Sequence, residues 1–234
     1  MTGVLHLQKV AVLHFRRMAN ISSISMEAGR LSWQGDLFGT GEPFGYDRSF
    51  AQLRRTALAH GSWVDHCPGW LRGGDDLFAR LVDDLPWERH TVTMYDRIVD
   101  EPRLTQFRLH DHLDRFPELA HLGAALSARY ERDLCRIGAA LYRDGNDSVA
   151  WHGDRFDAAM VEPMVAIVSL GARRQLRVRP RGGGPSIGFV LHPGDLIVLG
   201  GTIHRSHEHS VPKTRRATGA RVSVMFREPS ATAG

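Results

Sequence analysis

The length and composition of the chain limit the kinds of protein it can be. It has 234 residues, 42% of them hydrophobic and 24% charged, with a formal net charge of +4. Such a chain can bury roughly 70% of its unfolded surface without disulfide bonds, which excludes a disordered chain and a small disulfide-stapled module. Cys67 and Cys135 share no metal-binding spacing, which favours reduced thiols. No apolar run approaches the roughly 20 residues of a membrane span, so we expect a cytoplasmic protein without a membrane partner.

Arginine supplies nearly all of the positive charge, because only Lys9 and Lys213 are lysines. One basic cluster contains five arginines between residues 173 and 181, and a second contains Lys213, Arg215 and Arg216. Guanidinium groups bind phosphates through paired hydrogen bonds, so these clusters favour a nucleic-acid partner. Charges of this kind are equally typical of solvated edge strands, where they oppose aggregation. Both interpretations stay open at the level of the sequence.

The first half of the chain mixes helical and extended patterns. Residues 1–30 show no clear periodicity and are expected to form an N-terminal extension that is flexible. The spacing of apolar residues predicts, in chain order, a short helix over 50–60, an extended segment over 63–70, a helix over 75–85, a strand over 91–99 and an amphipathic helix over 119–141.

After Tyr142 the pattern changes to short strands separated by turns. The predicted strands cover residues 165–170, 175–179, 189–191, 195–199 and 221–226. Strands that follow helices in this way indicate a β-barrel or sandwich supported by helices. No linker divides the chain, so residues 31–234 are expected to form one domain.

Two histidine motifs carry the candidate chemistry. The first is an H-x-D pair in Trp151-His-Gly-Asp154. On an extended segment both side chains point to the same side and can face one metal ion. A distant third ligand would complete the two-histidine, one-carboxylate set of non-haem Fe(II) oxygenases, and the histidine-rich segment 204–212 offers one. Alone, an H-x-D pair is more often a surface or hydrogen-bonded pair.

Two arginines near the end of the chain form a second candidate feature. Arg221 and Arg227 are six residues apart on a predicted strand and therefore point to one face, opposite Val222, Val224 and Phe226. On the inner face of a barrel they would need anionic partners, because an unpaired buried charge is costly. A dicarboxylate cosubstrate would supply two carboxylates. The alternative is a pair of solvated arginines on the outer face.

Several segments together resemble the AlkB family of Fe(II)- and 2-oxoglutarate-dependent dioxygenases. They occur in order between about residues 90 and 228, and comprise residues 141–154, 168–171, 192–201, 208–212 and 221–227. The resemblance implies a mixed, mainly β fold. Its core would be a double-stranded β-helix, or jelly roll, over about 138–228, with supporting N-terminal helices and a substrate-recognition lid over about 88–118.

The resemblance also implies which residues form the site. The matching positions are His152, Asp154 and His209 for the iron and Tyr142, Arg221 and Arg227 for 2-oxoglutarate. Tyr95 and Arg97 fall where the family has its nucleotide-recognition lid and, with the aromatic residues Trp151 and Phe156, are the substrate candidates. The last group would contact the substrate base or stack on it.

Three positions depart from the pattern of the family. Ala140 stands where the family often has an asparagine that hydrogen-bonds the cosubstrate, and Phe156 where an acidic residue often reads the substrate base. His207 replaces a frequent aromatic residue and, with His204, makes a different third ligand conceivable. The H-S-x-P segment that begins at His209 favours His209.

The activity implied is oxidative dealkylation of N-alkylated bases in DNA with Fe(II), 2-oxoglutarate and O2, releasing succinate, CO2 and an aldehyde. The cofactor carries the oxidation while the protein fixes geometry and excludes water. The target base must be flipped out of a duplex or presented on a single strand. We expect a monomer. Two alternatives stay open: the same chemistry on RNA, tRNA or protein, and a catalytically degenerate jelly-roll binding protein.

Overall fold

The computed structural model describes residues 42–94, 97–216 and 218–229, with the backbone alone between residues 92 and 100. The predictions for residues 1–30 and for Tyr95 lie outside the described residues. Within the described part of the chain, no helix combines the length and the apolar character needed to cross a bilayer.

The N-terminal part of the described chain contains short strands and two longer helices. These elements are β1 (Gly45–Tyr46), β2 (Arg54–Ala57), β3 (Trp63–Cys67), β4 (Leu71–Arg72), α1 (Asp75–Asp84), β5 (Thr91–Met94), β6 (Arg97–Asp100), β7 (Leu104–Gln106) and α2 (Pro117–Tyr130). Single 3-10 turns lie at Ala59–Gly61 and Leu109–His112.

The C-terminal part is almost entirely β-structure. Its elements are β8 (Arg136–Tyr142), β9 (Val149–His152), β10 (Val165–Gly171), β11 (Arg174–Pro180), β12 (Ile187–Leu191), β13 (Leu196–Gly200), the one-turn helix α3 (Ile203–Ser206), β14 (His207–Val211) and β15 (Arg221–Arg227). The predicted strands of this half are therefore confirmed, as is the helix predicted over 75–85.

Two antiparallel sheets organise the protein. The larger has the order β2-β3-β13-β10-β15-β8-β7 and the smaller the order β12-β11-β14-β9. From β8 onward the chain moves back and forth between the sheets, so that β8, β10, β13 and β15 lie in one and β9, β11, β12 and β14 in the other. This mainly β, antiparallel arrangement is consistent with a jelly roll.

Successive side chains along each strand point to opposite faces, so that a hydrophobic core forms on each face of the larger sheet. Between the two sheets, Ile167 and Met225 pack with Leu176 and Val178 of β11. On the opposite face, the apolar sides of α1 and α2 pack on the larger sheet in a second core, which contains Phe226. Helices, the larger sheet and the smaller sheet therefore form three layers.

Two helix predictions are wrong, and the structure gives a reason for each. Residues 54–57 form β2, because this segment pairs with β3 and Arg55 hydrogen-bonds Asp65 at 2.7 and 2.8 Å. The helix predicted over 119–141 ends at Tyr130, since Glu131 takes a left-handed conformation with φ of 53°. The apolar residues beyond it belong to β8.

Candidate functional site

Three predicted ligands converge at the open end of the smaller sheet. His152 ends β9, Asp154 follows two residues later, and His209 lies on β14 directly opposite His152. One potential ligand atom from each residue lies within 4.8 Å of the others. The two imidazole rings have centroids 4.3 Å apart. Strand pairing thus brings together two histidines that are 57 positions apart in the sequence.

A hydrogen bond at His152 and burial at His209 favour the binding of a metal ion by the two imidazoles. Nδ1 of His152 lies 2.9 Å from the carbonyl oxygen of Ala150, which can only accept, so Nδ1 donates and Nε2 carries the lone pair. Burial lowers the pKa of His209 to about 3, and the opposing charge of Asp154 does not reverse this shift. Near neutral pH His209 is therefore in the neutral form that binds metals.

The carboxylate of Asp154 is ionised and has one oxygen free. Burial by itself raises its pKa, but the charge of Arg227 and the contact with His204 outweigh burial and hold the pKa well below its usual value. Oδ1 accepts a hydrogen bond from Arg227 at 2.7 Å. Oδ2 is buried, makes no aligned hydrogen bond among the described residues and lies 3.6 Å from Nε2 of His209.

The donor set fits a divalent transition metal. It combines two imidazoles with one carboxylate oxygen that makes no aligned hydrogen bond among the described residues, and two histidines with one carboxylate are the set found in non-haem Fe(II) oxygenases. Oδ1 is already paired with Arg227, and a cation beside the buried Oδ2 would give the second oxygen a partner as well. We therefore find that these three residues fit an Fe(II) ion.

A cavity of about 600 Å³ contains the three residues and extends between the sheets. Its wall includes Tyr142, Ser223 and Arg227, and Ala140 leaves room beside them. Apolar side chains such as Ile167 line the same space. The cavity is thus large enough for a small cosubstrate and combines a charged side with an apolar one.

Arg221 is buried at the edge of this site without an anionic partner. Its side chain is 1% exposed, Nε donates to Oγ of Ser169 at 2.9 Å, and Nη1 has no hydrogen-bond partner among the described residues. Burial lowers its pKa to about 10, so the guanidinium stays charged at neutral pH. Arg221 lies against the ring of Tyr142 and does not line the cavity itself. The two arginines do share the inner face of β15, with Val222, Val224 and Phe226 on the other side.

The predicted substrate residues occupy different positions. Trp151 and Phe156 are partly buried, and Trp151 lines the cavity and stacks under Arg179 at 4.1 Å. Phe156 lines a smaller adjoining cavity of about 230 Å³. Arg97 begins β6 in a hairpin with β5, where the structure gives only its backbone. Tyr95 lies outside the described residues.

Sequence reasoning missed three residues of the cavity. Arg103 donates a hydrogen bond to the hydroxyl of Tyr142 at 3.2 Å. Phe107, which is 49% exposed, and Arg155 line both cavities and mark their shared opening. The only signal for Phe107 and Arg155 in the sequence was their residue type, because their proximity to the cavity depends on the fold.

The alternative third ligands lie in different surroundings. Nδ1 of His207 shares a hydrogen bond with Oγ of Ser206 at 2.8 Å, and His207 is not part of the three-residue cluster. His204 is also outside that cluster, but its Nδ1 lies 3.3 Å from Oδ2 of Asp154. The arrangement therefore favours His209 as the third ligand and leaves His204 beside the carboxylate.

The interpretation of the basic cluster at 173–181 as a phosphate-binding surface is wrong for Arg174. Its side chain is buried and donates to the carbonyl oxygens of Asp144, Asp147 and Pro212 at 2.7–2.9 Å. Arg179 pairs with Glu208 at 3.1 Å. These two arginines hold the smaller sheet and its connections together.

Comparison with known proteins gives several matches. A family model described as the 2OG-Fe(II) oxygenase superfamily matches residues 105–227, which is more than half of the chain. The chain is 26% identical over 183 residues to alpha-ketoglutarate-dependent dioxygenase alkB homolog 3 of Bos taurus, covering 69% of this chain and 64% of the relative. It is 27% identical over 224 residues to DNA oxidative demethylase ALKBH2 of Arabidopsis thaliana, covering 76% and 70%.

The matched region thus spans less than two thirds of the length of the bovine relative. Among solved structures, the chain is similar to an oxidoreductase of the 2OG-Fe(II) oxygenase family from Burkholderia pseudomallei. That similarity has 17% identity and a TM-score of 0.42, and covers 65% of this chain and 76% of the other.

Proposed function

This chain belongs to the 2OG-Fe(II) oxygenase superfamily and, with its curated relatives, to the AlkB family, and we propose that it oxidatively removes alkyl groups from the bases of DNA. The observation that carries the proposal is the cluster of His152, Asp154 and His209, with its free carboxylate oxygen, at a cavity beside buried arginines. Members of this superfamily use Fe(II) and 2-oxoglutarate.

In this proposal His152, Asp154 and His209, which all line the cavity, would hold the iron. When bound there, Fe(II) with 2-oxoglutarate and O2 supplies the oxidation of the alkyl carbon, which yields succinate, CO2 and an aldehyde. The apolar wall formed by residues such as Ile167 excludes bulk water and strengthens the electrostatic contacts in the site.

The cationic groups of the site are suited to hold 2-oxoglutarate. Arg227 lies at the cavity wall next to Asp154, and within the part of the chain that the structure describes Nη1 of Arg221 has no hydrogen-bond partner. Tyr142 stands between the cavity and Arg221, and Arg103 donates to its hydroxyl. We propose that the two carboxylates of 2-oxoglutarate are bound by Arg221 and Arg227, with Tyr142 as a further hydrogen-bond partner.

The opening of the site supports a nucleic-acid substrate. Phe107 presents an exposed ring there, and Arg136 and Arg155 line the smaller cavity beside it. Aromatic rings stack on unpaired bases and arginines bind phosphates, so this combination fits a base delivered from a single strand or flipped from a duplex. One curated relative is named as a DNA oxidative demethylase, which favours DNA. We further propose that the β5–β6 hairpin belongs to a substrate-recognition lid.

The test is mass spectrometry of single-stranded oligonucleotides that carry 1-methyladenine, as DNA and as RNA of the same sequence. Each is incubated with Fe(II), 2-oxoglutarate and O2 and either the wild type, Asp154→Asn or Glu208→Gln. Glu208 is the matched control, because it neighbours His209 but pairs with Arg179 instead of facing the cluster. We expect the wild type and Glu208→Gln to remove one methyl group from the DNA and Asp154→Asn to remove none.

The other outcomes separate the alternatives. Loss of the methyl group from the RNA alone would replace DNA by RNA or tRNA as the substrate. Succinate formation without any change in either oligonucleotide would retain the dioxygenase and exclude both methylated strands, which favours a protein substrate. If the wild type forms no succinate at all, the chain is a binding protein that has lost the activity, and the proposal is overturned.

A further inference from the structure

His204 is a buried imidazole next to the candidate metal ligands. It lies in the one-turn helix α3, five residues before His209, and its side chain is 2% exposed. One side of its ring packs against Phe156, with ring centroids 4.8 Å apart. Its Nδ1 lies 3.3 Å from Oδ2 of Asp154, the oxygen that makes no aligned hydrogen bond. His204 therefore contacts the carboxylate on the oxygen that faces His209.

The backbone around His204 is held by Arg181 and lies close to Gly153 of the H-x-D motif. Arg181 donates from Nη2 to the carbonyl oxygen of His204 at 3.1 Å and from Nε to that of Arg205 at 3.0 Å. A Cβ atom at Gly153 would lie 2.6 Å from Nη2 of Arg181 and 3.3 Å from the carbonyl oxygen of His204. Only glycine fits here without displacing a neighbouring atom. The side chain of Arg181 and the backbone of α3 therefore lie in close contact with Gly153, which joins His152 to Asp154.

We propose that His204 is a positioning residue, whose Nδ1–H directs Oδ2 of Asp154 toward the metal. The proposal rests on the Fe(II) site proposed above. Arg227 holds Oδ1 at 2.7 Å while His204 stands against Oδ2. The carboxylate is thus bonded at one oxygen and in contact with His204 at the other, and rotating it would require moving a buried ring. Groups that orient a ligating carboxylate in this way typically change metal affinity about 10- to 100-fold when they are removed.

The position of His204 is poorly explained by stability alone. Its Nε2 is buried without a hydrogen-bond partner among the described residues. A buried polar atom without a partner is unfavourable, and an apolar side chain of similar size at such a place is often neutral or stabilising. The imidazole therefore contributes little to folding, and its contact with Asp154 is the interaction that remains to explain it.

The experiment compares Co(II) binding by the wild type, His204→Leu and His204→Asn in the full chain, without 2-oxoglutarate or O2. In asparagine the amide nitrogen occupies the position of Nδ1, so His204→Asn keeps a donor that His204→Leu removes. We expect His204→Leu to bind Co(II) about 10- to 100-fold more weakly and His204→Asn to bind nearly as tightly as the wild type. Thermal unfolding of the metal-free proteins should show that His204→Leu is as stable as the wild type.

Distinct results would overturn the proposal. If His204→Leu binds Co(II) as tightly as the wild type, His204 does not orient Asp154. Equal losses in both variants would exclude a role for the donor. If the Co(II) absorption spectra indicate different numbers of ligands in His204→Asn and in the wild type, His204 is itself a ligand of the metal. Absence of Co(II) binding by the wild type would instead overturn the proposed metal site, and with it this role.

Discussion

Tyr142 lies directly opposite Arg221 in the antiparallel pair of β8 and β15, with the guanidinium 5.4 Å from the centre of the tyrosine ring. Both side chains are at most 2% exposed. Among the described residues, Arg221 has no ion pair with a carboxylate, and its guanidinium contacts the ring of Tyr142 and donates to the hydroxyl of Ser169. A buried charge of this kind costs free energy of folding unless an anionic ligand pairs with it.

Arg221→Met is therefore expected to separate stability from cosubstrate binding. Removing an uncompensated buried charge should leave the unfolding temperature of the ligand-free protein unchanged or raise it. Binding of 2-oxoglutarate should weaken by about 2–5 kcal/mol, because one carboxylate loses its charged partner. Isothermal titration calorimetry and thermal unfolding with and without 2-oxoglutarate measure the two effects.

Arg54→Met is the control for this prediction, because Arg54 is exposed on β2. It should bind 2-oxoglutarate with the affinity of the wild type. If Arg221→Met also retains that affinity, Arg221 is not part of the cosubstrate site.

Arg174 leads to the opposite prediction, since its guanidinium is used within the fold. Arg174→Met leaves three carbonyl oxygens without their donor, and we expect the free energy of unfolding to fall by about 3 kcal/mol. Arg173→Met, at the exposed neighbouring position, should change it little. Urea unfolding of both variants is the measurement. Equal stability of the two variants would contradict the structural role of Arg174.

Phe107 tests the opening of the site. If its exposed ring stacks on a base, Phe107→Ala should weaken binding of a single-stranded oligonucleotide by about 1–3 kcal/mol. Ile187→Ala removes a similarly exposed apolar side chain from β12 and should have no effect. Fluorescence anisotropy at fixed salt concentration gives both affinities. An equal loss of affinity in Ile187→Ala would indicate nonspecific hydrophobic binding instead of a stacking site.

The sequence predicted the part of the site that depends on strand periodicity. The period of two placed His152 and Asp154 on one side and Arg221 and Arg227 on one face, and the structure has both arrangements. The identity of the third residue came from the H-S-x-P segment, which strand pairing places opposite His152. Local patterns and motif order were sufficient for these features.

Contacts between distant segments could not be read in the same way. Arg174 looked like a surface charge because its three partners are backbone carbonyls, which leave no trace in side-chain patterns. His204 approaches Asp154 across 50 positions through the turn of α3. The helix over 119–141 was extended too far because the strand that begins at Arg136 continues the apolar pattern. In each case the sequence did not indicate which distant segments contact each other.

Asp195 provides a prediction for the pH dependence of stability. Its buried carboxylate accepts hydrogen bonds from the backbone nitrogens of Gly69 at 2.8 Å and His192 at 3.0 Å, and lies 3.1 Å from Nε2 of His66. Burial raises its pKa, but these hydrogen bonds outweigh burial, and the pKa lies below its usual value. The native state therefore binds this proton less readily than the unfolded state does.

The stabilising contribution of Asp195 is thus fully present above the pKa of the unfolded chain, about 3.9, and is lost as the pH falls through the lower native pKa. Asp195→Asn should be less stable than the wild type at pH 7, by about 1–3 kcal/mol, because the amide cannot accept both backbone hydrogen bonds. Below pH 4 its stability should fall less steeply with pH than that of the wild type. Urea unfolding between pH 3 and pH 7 measures both curves, and parallel curves would show that Asp195 does not titrate with folding.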